Sequence, residues 1–163
     1  MSSEKEKEVL EDVIGQLLRA KGWRISIAES CTGGLISHRI TNIPGSSDYF
    51  ESGVVSYSNE AKVEILKVPE ETINKHGAVS SQTAKAMAEG VRRFRKTEIG
   101  VGVTGIAGPT GGTAAKPAGL VYIALSTQSC VECKEFRFTG DREEIKLKTS
   151  EAALGMIREY LEK

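Results

Sequence analysis

The sequence predicts a three-layer α/β/α fold around a mixed β-sheet. Segments with the 3.6-residue apolar spacing of helices alternate along the chain with short apolar segments typical of strands. Alternation of this kind places helices on both faces of a sheet. The last two strand-like segments, 120–126 and 132–138, are joined by a short turn. That turn predicts an antiparallel hairpin, so the sheet is expected to be mixed.

The first half of the chain is predicted to contain four helices and two strands. Apolar residues at helical spacing indicate a helix over 4–20 that ends at Gly22. After it come a strand at 23–28, a turn at 29–34, a helix at 35–40 and a strand at 52–57. Two short helices, 61–66 and 70–75, are then separated by Pro69.

The second half contains two longer helices and three strands. Ser80 or Ser81 is expected to cap a helix whose apolar face carries Ala84, Met87, Ala88, Val91 and Phe94. A strand at 98–103 leads into a glycine-rich segment, 100–119, and the hairpin follows it. Asp141 is expected to cap the last helix, with its apolar residues inward: Ile145, Ala152, Ala153, Met156, Ile157 and Tyr160.

Composition excludes several classes of protein. The 163 residues include 22 Lys+Arg and 22 Asp+Glu, so the formal net charge is zero and a nucleic-acid partner is not expected. This length predicts one domain, residues 1–163, and 39% hydrophobic residues suit a globular chain. The sequence shows no apolar run of the ~18–20 residues that span a bilayer. The charged N-terminus does not resemble a secretory signal, so we expect a cytoplasmic location without a membrane partner.

The sequence contains three cysteines, Cys31, Cys130 and Cys133, which do not form the pattern of a metal or redox site. Cys130 and Cys133 form a C-x-x-C pattern, but a structural zinc site needs two more ligands, and neither histidine belongs to a recognisable second pair. A redox pair is expected where a strand meets a helix, whereas this pair lies at a turn or strand start. We therefore expect free thiols and no metal ligands.

The glycine-rich segment contains Gly100-x-Gly102-x-x-Gly105, the spacing found in dinucleotide-binding loops. Such a loop joins a strand to a helix and is followed about 20 residues later by an acidic residue. Here the glycines lie within the strand, Pro109 follows instead of a helix, and residue 125 is leucine. Lys116 also lacks the neighbours of a phosphate-binding Walker loop. No nucleotide cofactor is expected.

The turn after the first strand, Glu29-Ser-Cys-Thr-Gly-Gly34, is the better candidate site. A side chain here stands above the carboxyl edge of the sheet, and the helix-start N–H groups at Thr32, Gly33 and Gly34 could hold an anion. Ser30 is a candidate nucleophile in this turn. The alternatives left open are that Ser30 or Thr32 only caps the helix, and that Cys31 is the nucleophile.

A nucleophilic serine needs a base. The sequence does not place either of the two histidines, His38 and His76, where it could act as the base for Ser30. Lysine is therefore the remaining candidate for the base. A lysine with the ordinary pKa of ~10.4 is almost fully protonated at neutral pH, so burial or a nearby cation must lower that pKa. Lys62 lies one turn beyond a strand end, and Tyr57 could share a proton network with it.

Several ordered motifs together resemble one family, the C-terminal domain of the competence/damage-inducible protein CinA. That domain also occurs alone as the nicotinamide-nucleotide amidohydrolase PncC. The motifs are Ala28-Glu-Ser-Cys-Thr-Gly-Gly34, Pro44-Gly-Ser-Ser47, Tyr57-Ser-Asn-Glu-Ala-Lys62, His76-Gly-Ala-Val-Ser80, Thr104-Gly-Ile-Ala-Gly-Pro109 through Lys116-Pro117, and Gly140-Asp-Arg142. The resemblance extends from about residue 5 to residue 160.

This resemblance implies a metal-independent enzyme that converts nicotinamide mononucleotide to nicotinic acid mononucleotide and ammonia. Carried over to this chain, Ser30 is the nucleophile and Lys62 the base, with Tyr57 supporting it. The Thr104–Gly105 loop would line the substrate, and Gly45 and Ser46 belong to another motif expected to bind it. Arg142 is the candidate for the substrate phosphate, because a guanidinium pairs bidentately with phosphate oxygens.

Two other functions remain open from the sequence. The first is a non-catalytic nucleotide-binding or regulatory module, and the second is an enzyme of the same kind that acts on another small amide. The expected partner is the small-molecule substrate, and the sequence leaves the formation of a homo-oligomer open.

Overall fold

A computed structural model describes residues 8–163 of the chain. Within these residues six α-helices and five β-strands follow one another, and Ser46–Asp48 form a 3-10 turn before the second strand. In chain order the elements are α1 (Leu10–Lys21), β1 (Ile25–Glu29), α2 (Leu35–Thr41), β2 (Phe50–Val55), α3 (Asn59–Glu64), α4 (Glu70–His76), α5 (Ser81–Arg95), β3 (Ile99–Gly105), β4 (Leu120–Ser126), β5 (Val131–Arg137) and α6 (Arg142–Leu161).

The five strands form one open sheet in the order β2-β1-β3-β4-β5. Strands β2, β1 and β3 are parallel, whereas β4 pairs antiparallel with both β3 and β5. The mixed sheet and its late hairpin are therefore confirmed. Because β1 and β2 are neighbouring parallel strands, the segments that follow them emerge at the same edge of the sheet.

Helices cover both faces of the sheet, which confirms the three-layer α/β/α prediction. On one face, α1, α2 and α6 pack against one another over a large apolar core that includes Ile25 and Ile27 of β1. On the other face, α5 crosses β3, β4 and β1. Strand β1 is buried along its whole length, so the turn that follows it starts from a fixed point.

Two glycines of the G-x-G-x-x-G pattern allow α5 to pack closely on β3. A Cβ atom on Gly100 would lie 2.3 Å from the carbonyl oxygen of Ala88, and one on Gly102 would lie 2.4 Å from that of Ala84. Both distances are far shorter than van der Waals contact. These glycines are therefore explained by helix-on-sheet packing, in keeping with their predicted position inside a strand.

Gly102→Ala should destabilise the fold, since the added methyl group must push α5 away from the sheet. We expect a loss of about 1–3 kcal/mol in the free energy of unfolding, measured by urea denaturation. Gly155→Ala in α6 is the matched control, because a Cβ atom there meets nothing within 4 Å. That control should gain roughly 0.5–1 kcal/mol as a helix-interior Gly→Ala change. Equal effects in the two variants would contradict the packing role.

Several element boundaries differ from the sequence prediction. Residues 4–7 of the predicted first helix lie outside the described residues, and α1 begins at Leu10 after an extended Val9. Strand β2 begins at Phe50, two residues before its predicted start. Helix α3 begins at Asn59 because the hydroxyl of Ser58 accepts a hydrogen bond from the Ala61 N–H and caps it.

The helices of residues 8–163 do not resemble membrane spans. None of them combines the length and the apolar character that crossing a bilayer requires.

Candidate active site

Ser30 and Lys62 meet at the carboxyl edge of the parallel strands. Ser30 follows β1 directly, and Lys62 lies on α3, which follows the neighbouring strand β2. The Lys62 Nζ lies 3.1 Å from the Ser30 Oγ. The structure thus brings the two residues predicted as nucleophile and base within hydrogen-bonding distance of each other.

Lys62 is a buried lysine, with only 1% of its surface exposed. Its Nζ donates hydrogen bonds to two backbone carbonyl oxygens, that of Ser56 at 2.8 Å and that of Tyr57 at 3.2 Å. No carboxylate of residues 8–163 forms a salt bridge with it. Burial lowers the pKa of Lys62, because the protonated form loses hydration without gaining a counter-ion.

The turn that carries Ser30 is anchored by Glu29, a residue that the sequence analysis did not single out. The Glu29 side chain is fully buried. One carboxylate oxygen accepts hydrogen bonds from the Thr32 hydroxyl and the Ile36 N–H, and the other accepts from the N–H and the hydroxyl of Ser37. Glu29 therefore caps α2 from the preceding strand, and it holds the Ser30 turn against that helix.

This capping limits what the start of α2 can offer a ligand. The Ile36 and Ser37 N–H groups are occupied by Glu29, and the buried Thr32 side chain bonds to the same carboxylate. The Gly33 N–H donates to the Ser30 carbonyl, and Gly34 lies beside Val55. None of residues 32–34 lines the cleft described below, so the structure does not place them as side-chain contacts of a substrate.

A cleft of about 400 Å³ opens above Ser30 and Lys62. This volume falls in the range of small-molecule sites. Its lining comprises Ser30, Cys31, Tyr57, Asn59, Lys62, Ala78, Val79, Thr104, Gly105, Ile106, Ala107, Gly108, Thr110, Gly111 and Arg142. Thr104 and Gly105, which were predicted to line the substrate, are part of this lining. The Thr104 hydroxyl donates to the Ala78 carbonyl, which is also part of it.

Part of this lining was not predicted from the sequence. Asn59 stands in the motif that ends at Lys62, and that motif was the available signal. Ala78 and Val79 belong to a family motif but carry no polar side chain that would have singled them out. Residues 106–111 follow β3, and only their high glycine content indicated a backbone-lined loop.

Arg142 closes one side of the cleft. It is the first residue of α6, fixed there by a capping box between Asp141 and Glu144. Its guanidinium donates from Nη1 to the Gly108 carbonyl at 2.7 Å and from Nη2 to the Tyr57 hydroxyl at 3.0 Å. The Tyr57 phenol therefore contacts Arg142, and Tyr57 reaches Lys62 only through its backbone carbonyl.

Gly45 and Ser46 are not brought to this cleft. They precede β2, and the first residue of β2 pairs with the first residue of β1. Ser30 follows the last residue of β1, so it lies at the opposite edge of the sheet. Five residues of strand separate the two edges, a distance of roughly 15 Å. Gly45 instead accepts a hydrogen bond from Arg19 of α1 through its carbonyl, so this motif joins β2 to the helical layer.

The cysteines offer no competing nucleophile or metal site in the described residues. Burial raises the pKa of Cys31 to about 12, so its thiol stays protonated at neutral pH. Cys130 and Cys133 are free thiols at the start of the β5 hairpin strand. Residues 8–163 contain no cluster of histidine, cysteine, aspartate and glutamate that could hold a metal ion, and the cleft lining includes no histidine.

A larger groove of about 630 Å³ lies along α5, from Leu66 to Phe94. Its lining carries lysine, arginine and glutamate side chains but no serine, cysteine or histidine. The smaller cleft, where a buried amine contacts a hydroxyl, is therefore the candidate active site.

Comparison with known proteins identifies the family. The profile of the CinA C-terminal domain matches residues 7–161, nearly the whole chain. The chain belongs to the CinA C-terminal domain family. A CinA-like protein of Syntrophus aciditrophicus is 52% identical to this CinA domain over 155 residues, which are 94% of this chain and 37% of that protein. The CinA domain thus spans less than two fifths of the length of such relatives.

Solved structures of the same superfamily share the fold. The competence/damage inducible protein CihA of Agrobacterium tumefaciens is 42% identical, with a TM-score of 0.89 over 94% of this chain and 96% of that one. The competence damage-inducible protein A of Klebsiella pneumoniae is 36% identical, with a TM-score of 0.90 over 93% and 94% of the two chains. The family resemblance of the sequence motifs is therefore confirmed for the CinA domain as a whole.

Proposed function

We propose that this CinA domain is a metal-independent amidohydrolase that cleaves the carboxamide of nicotinamide mononucleotide. The products would be nicotinic acid mononucleotide and ammonia. The observation that carries the proposal is the 3.1 Å contact between the buried Lys62 amine and the Ser30 hydroxyl at the base of a substrate-sized cleft. Membership of the CinA family supports the choice of substrate.

The surroundings of Lys62 suit a general base. A neutral amine has two N–H donors and one lone pair, and the two carbonyl oxygens of Ser56 and Tyr57 take up both donors. The lone pair is then left to face the Ser30 hydroxyl. Because burial lowers the pKa of Lys62, a larger fraction of the amine is neutral than for an exposed lysine.

The reaction would proceed in two steps through an acyl-enzyme. Ser30 Oγ attacks the carboxamide carbon while its proton passes to Lys62 Nζ, which gives a tetrahedral intermediate. The C–N bond then breaks, Lys62 returns the proton to the departing nitrogen, and ammonia leaves. Water next attacks the Ser30 ester and loses a proton to Lys62. The bond between the acyl carbon and Ser30 Oγ then breaks, Lys62 returns the proton to Oγ, and the carboxylic acid is released. The electron-withdrawing pyridinium ring makes the carbonyl carbon unusually open to attack.

The oxyanion of the tetrahedral intermediate needs hydrogen-bond donors. In the turn after Ser30, the N–H groups of Gly33 and Leu35 already donate to backbone carbonyls. The Cys31 N–H is adjacent to the nucleophile and donates to no other residue of the described chain, so it is our first candidate. Thr104 and Gly105 form the facing wall of the cleft.

The substrate phosphate is assigned to Arg142. Its guanidinium stands at the rim of the cleft and presents a planar set of donors, which suits bidentate binding of phosphate oxygens. Tyr57 orients this guanidinium through its phenol, and in this proposal it supports the site by that contact and by its carbonyl bond to Lys62.

The test is to incubate the purified protein with nicotinamide mononucleotide, without added metal and with a chelator present. Ammonia and nicotinic acid mononucleotide should appear in equal amounts. No product from a folded protein that still binds the mononucleotide would favour the non-catalytic nucleotide-binding module. No product and no binding would direct the search to another small amide.

A further inference from the structure

We propose that Lys146 is a second cation of the phosphate subsite and acts with Arg142 to select phosphorylated substrates. The inference rests on the proposed function for the identity of the substrate, and it assigns a specificity role to a residue outside all the sequence motifs discussed above.

The helix geometry places Lys146 next to the site. Arg142 and Lys146 are four residues apart on α6, so they lie on the same side of that helix one turn apart. The Lys146 Nζ reaches the turn after Ser30, where a Cβ atom on Gly33 would lie 3.5 Å from it. The absence of a side chain at Gly33 therefore leaves the Lys146 amine directly over the backbone of the nucleophile turn.

The charge of Lys146 is not neutralised by another residue of the described chain. It is half-buried, and it appears in no salt bridge or side-chain hydrogen bond among residues 8–163. The cleft lining contains no acidic side chain. A partly buried ammonium beside such a cleft favours an anionic ligand.

The field of Lys146 extends to the cleft wall. Burial raises the pKa of the Cys31 thiol, and the positive charges of Lys62 and Lys146 act in the opposite direction on it. Cys31 is part of the cleft lining. Lys146 is not itself part of that lining, but its amine lies over the turn that carries Ser30 and Cys31, next to the cleft wall that these residues form.

Two cations match the charge of the expected group. A phosphate monoester carries about −1.5 to −2 charges at neutral pH. Arg142 supplies a planar set of donors to one edge of such a group, and Lys146 supplies a mobile point charge that can reach another oxygen. A substrate that lacks the phosphate, such as the corresponding nucleoside, would gain nothing from Lys146.

The experiment compares Lys146→Ala with Lys148→Ala, a matched control that removes the same charge from the same helix. Neither lysine is part of the lining of the cleft. The Lys148 amine donates to the Thr139 carbonyl, whereas the Lys146 amine lies over the turn that carries Ser30. For nicotinamide mononucleotide, Lys146→Ala should raise KM about 10-fold with kcat little changed, the effect of one lost charge-assisted hydrogen bond. Its kcat/KM for nicotinamide riboside should stay at the wild-type value, and Lys148→Ala should alter neither substrate.

The inference is overturned if Lys146→Ala and Lys148→Ala behave alike, or if Lys146→Ala impairs mononucleotide and riboside equally. A second readout does not depend on catalysis: inorganic phosphate, added at constant ionic strength, should raise the Tm of the wild type more than that of Lys146→Ala, in which Arg142 alone remains. If the wild type hydrolyses neither substrate, the proposed function fails. The phosphate-dependent Tm shift then tests only whether Lys146 helps to bind an anion. That role is rejected if phosphate raises the Tm of both proteins equally, or if it does not raise the Tm of the wild type.

Discussion

Replacing Ser30 by alanine should abolish the hydrolysis of nicotinamide mononucleotide while the protein remains folded. The proposed acyl-enzyme cannot form without Oγ, and removing the nucleophile of a serine hydrolase lowers kcat by at least about 10⁴-fold. The Ser30 side chain makes one hydrogen bond in the structure, to Lys62, so its loss should disturb the fold little. The measurement is the rate of ammonia release, with circular dichroism as the test of folding.

Cys31→Ala separates the two candidate nucleophiles of this turn. Burial holds the pKa of the Cys31 thiol at about 12, so it is a poor nucleophile at neutral pH, and this variant should retain most of the activity. Loss of activity in Cys31→Ala together with retention in Ser30→Ala would reject the serine mechanism. Ser30→Ala should also still bind nicotinamide mononucleotide, because the cleft and Arg142 are unchanged.

Lys62→Met should lower kcat by about 10²–10⁴-fold, the usual contribution of a general base. Methionine is close to lysine in size and apolar, so the buried site stays filled. In the wild type only the neutral amine is active. The rate should therefore rise with pH until Lys62 is deprotonated, at a pKa below the ordinary 10.5, and then level off. The kcat/KM profile of the free enzyme reports this ionisation, and the Lys62→Met variant should lack it.

The same residue links pH to stability, and the sign can be stated. Burial lowers the pKa of Lys62 in the folded state, so between that pKa and the unfolded value of about 10.4 the unfolded chain binds more protons. The free energy of unfolding should rise with pH across this window. Below the folded-state pKa, Lys62 is protonated in both states, and the full cost of burying its charge lowers the stability of the fold. Urea denaturation at several pH values should show a weaker rise in Lys62→Met. An identical pH dependence in both proteins would show that Lys62 is not the group responsible.

Local patterns accounted for most of the fold. The β4 strand was predicted at 120–126 and is observed there, because its apolar residues are bounded by Gly119 and the turn after Ser126. The cap at Asp141 was also predicted correctly, since a capping residue acts within one turn of its own helix. The boundaries of α1 and β2 were less accurate because no comparably strong local signal marks them.

The site depends on contacts between distant residues, which a single sequence does not display. The approach of Lys62 to Ser30 follows from neighbouring parallel strands, but the pairing of β1 with β2 had to be seen first. Glu29 was missed because its partners, Ser37 among them, lie on the next helix. Gly45 and Ser46 were assigned to the substrate from a family motif alone, and the register of β2 places them at the opposite edge of the sheet.

The two halves of the chain contribute different parts of this cleft. Ser30 and Lys62 both come from residues 25–64, Ser30 in the turn after β1 and Lys62 on α3. The facing wall comes from β3, residues 106–111 and Arg142. Changes in the second group can alter which amide fits without moving the nucleophile or its base. Under the proposed function, substrate range and bond-breaking chemistry can therefore evolve separately, and a search for variants that accept a new amide should change the loop after β3 while leaving the Ser30 turn and α3 untouched.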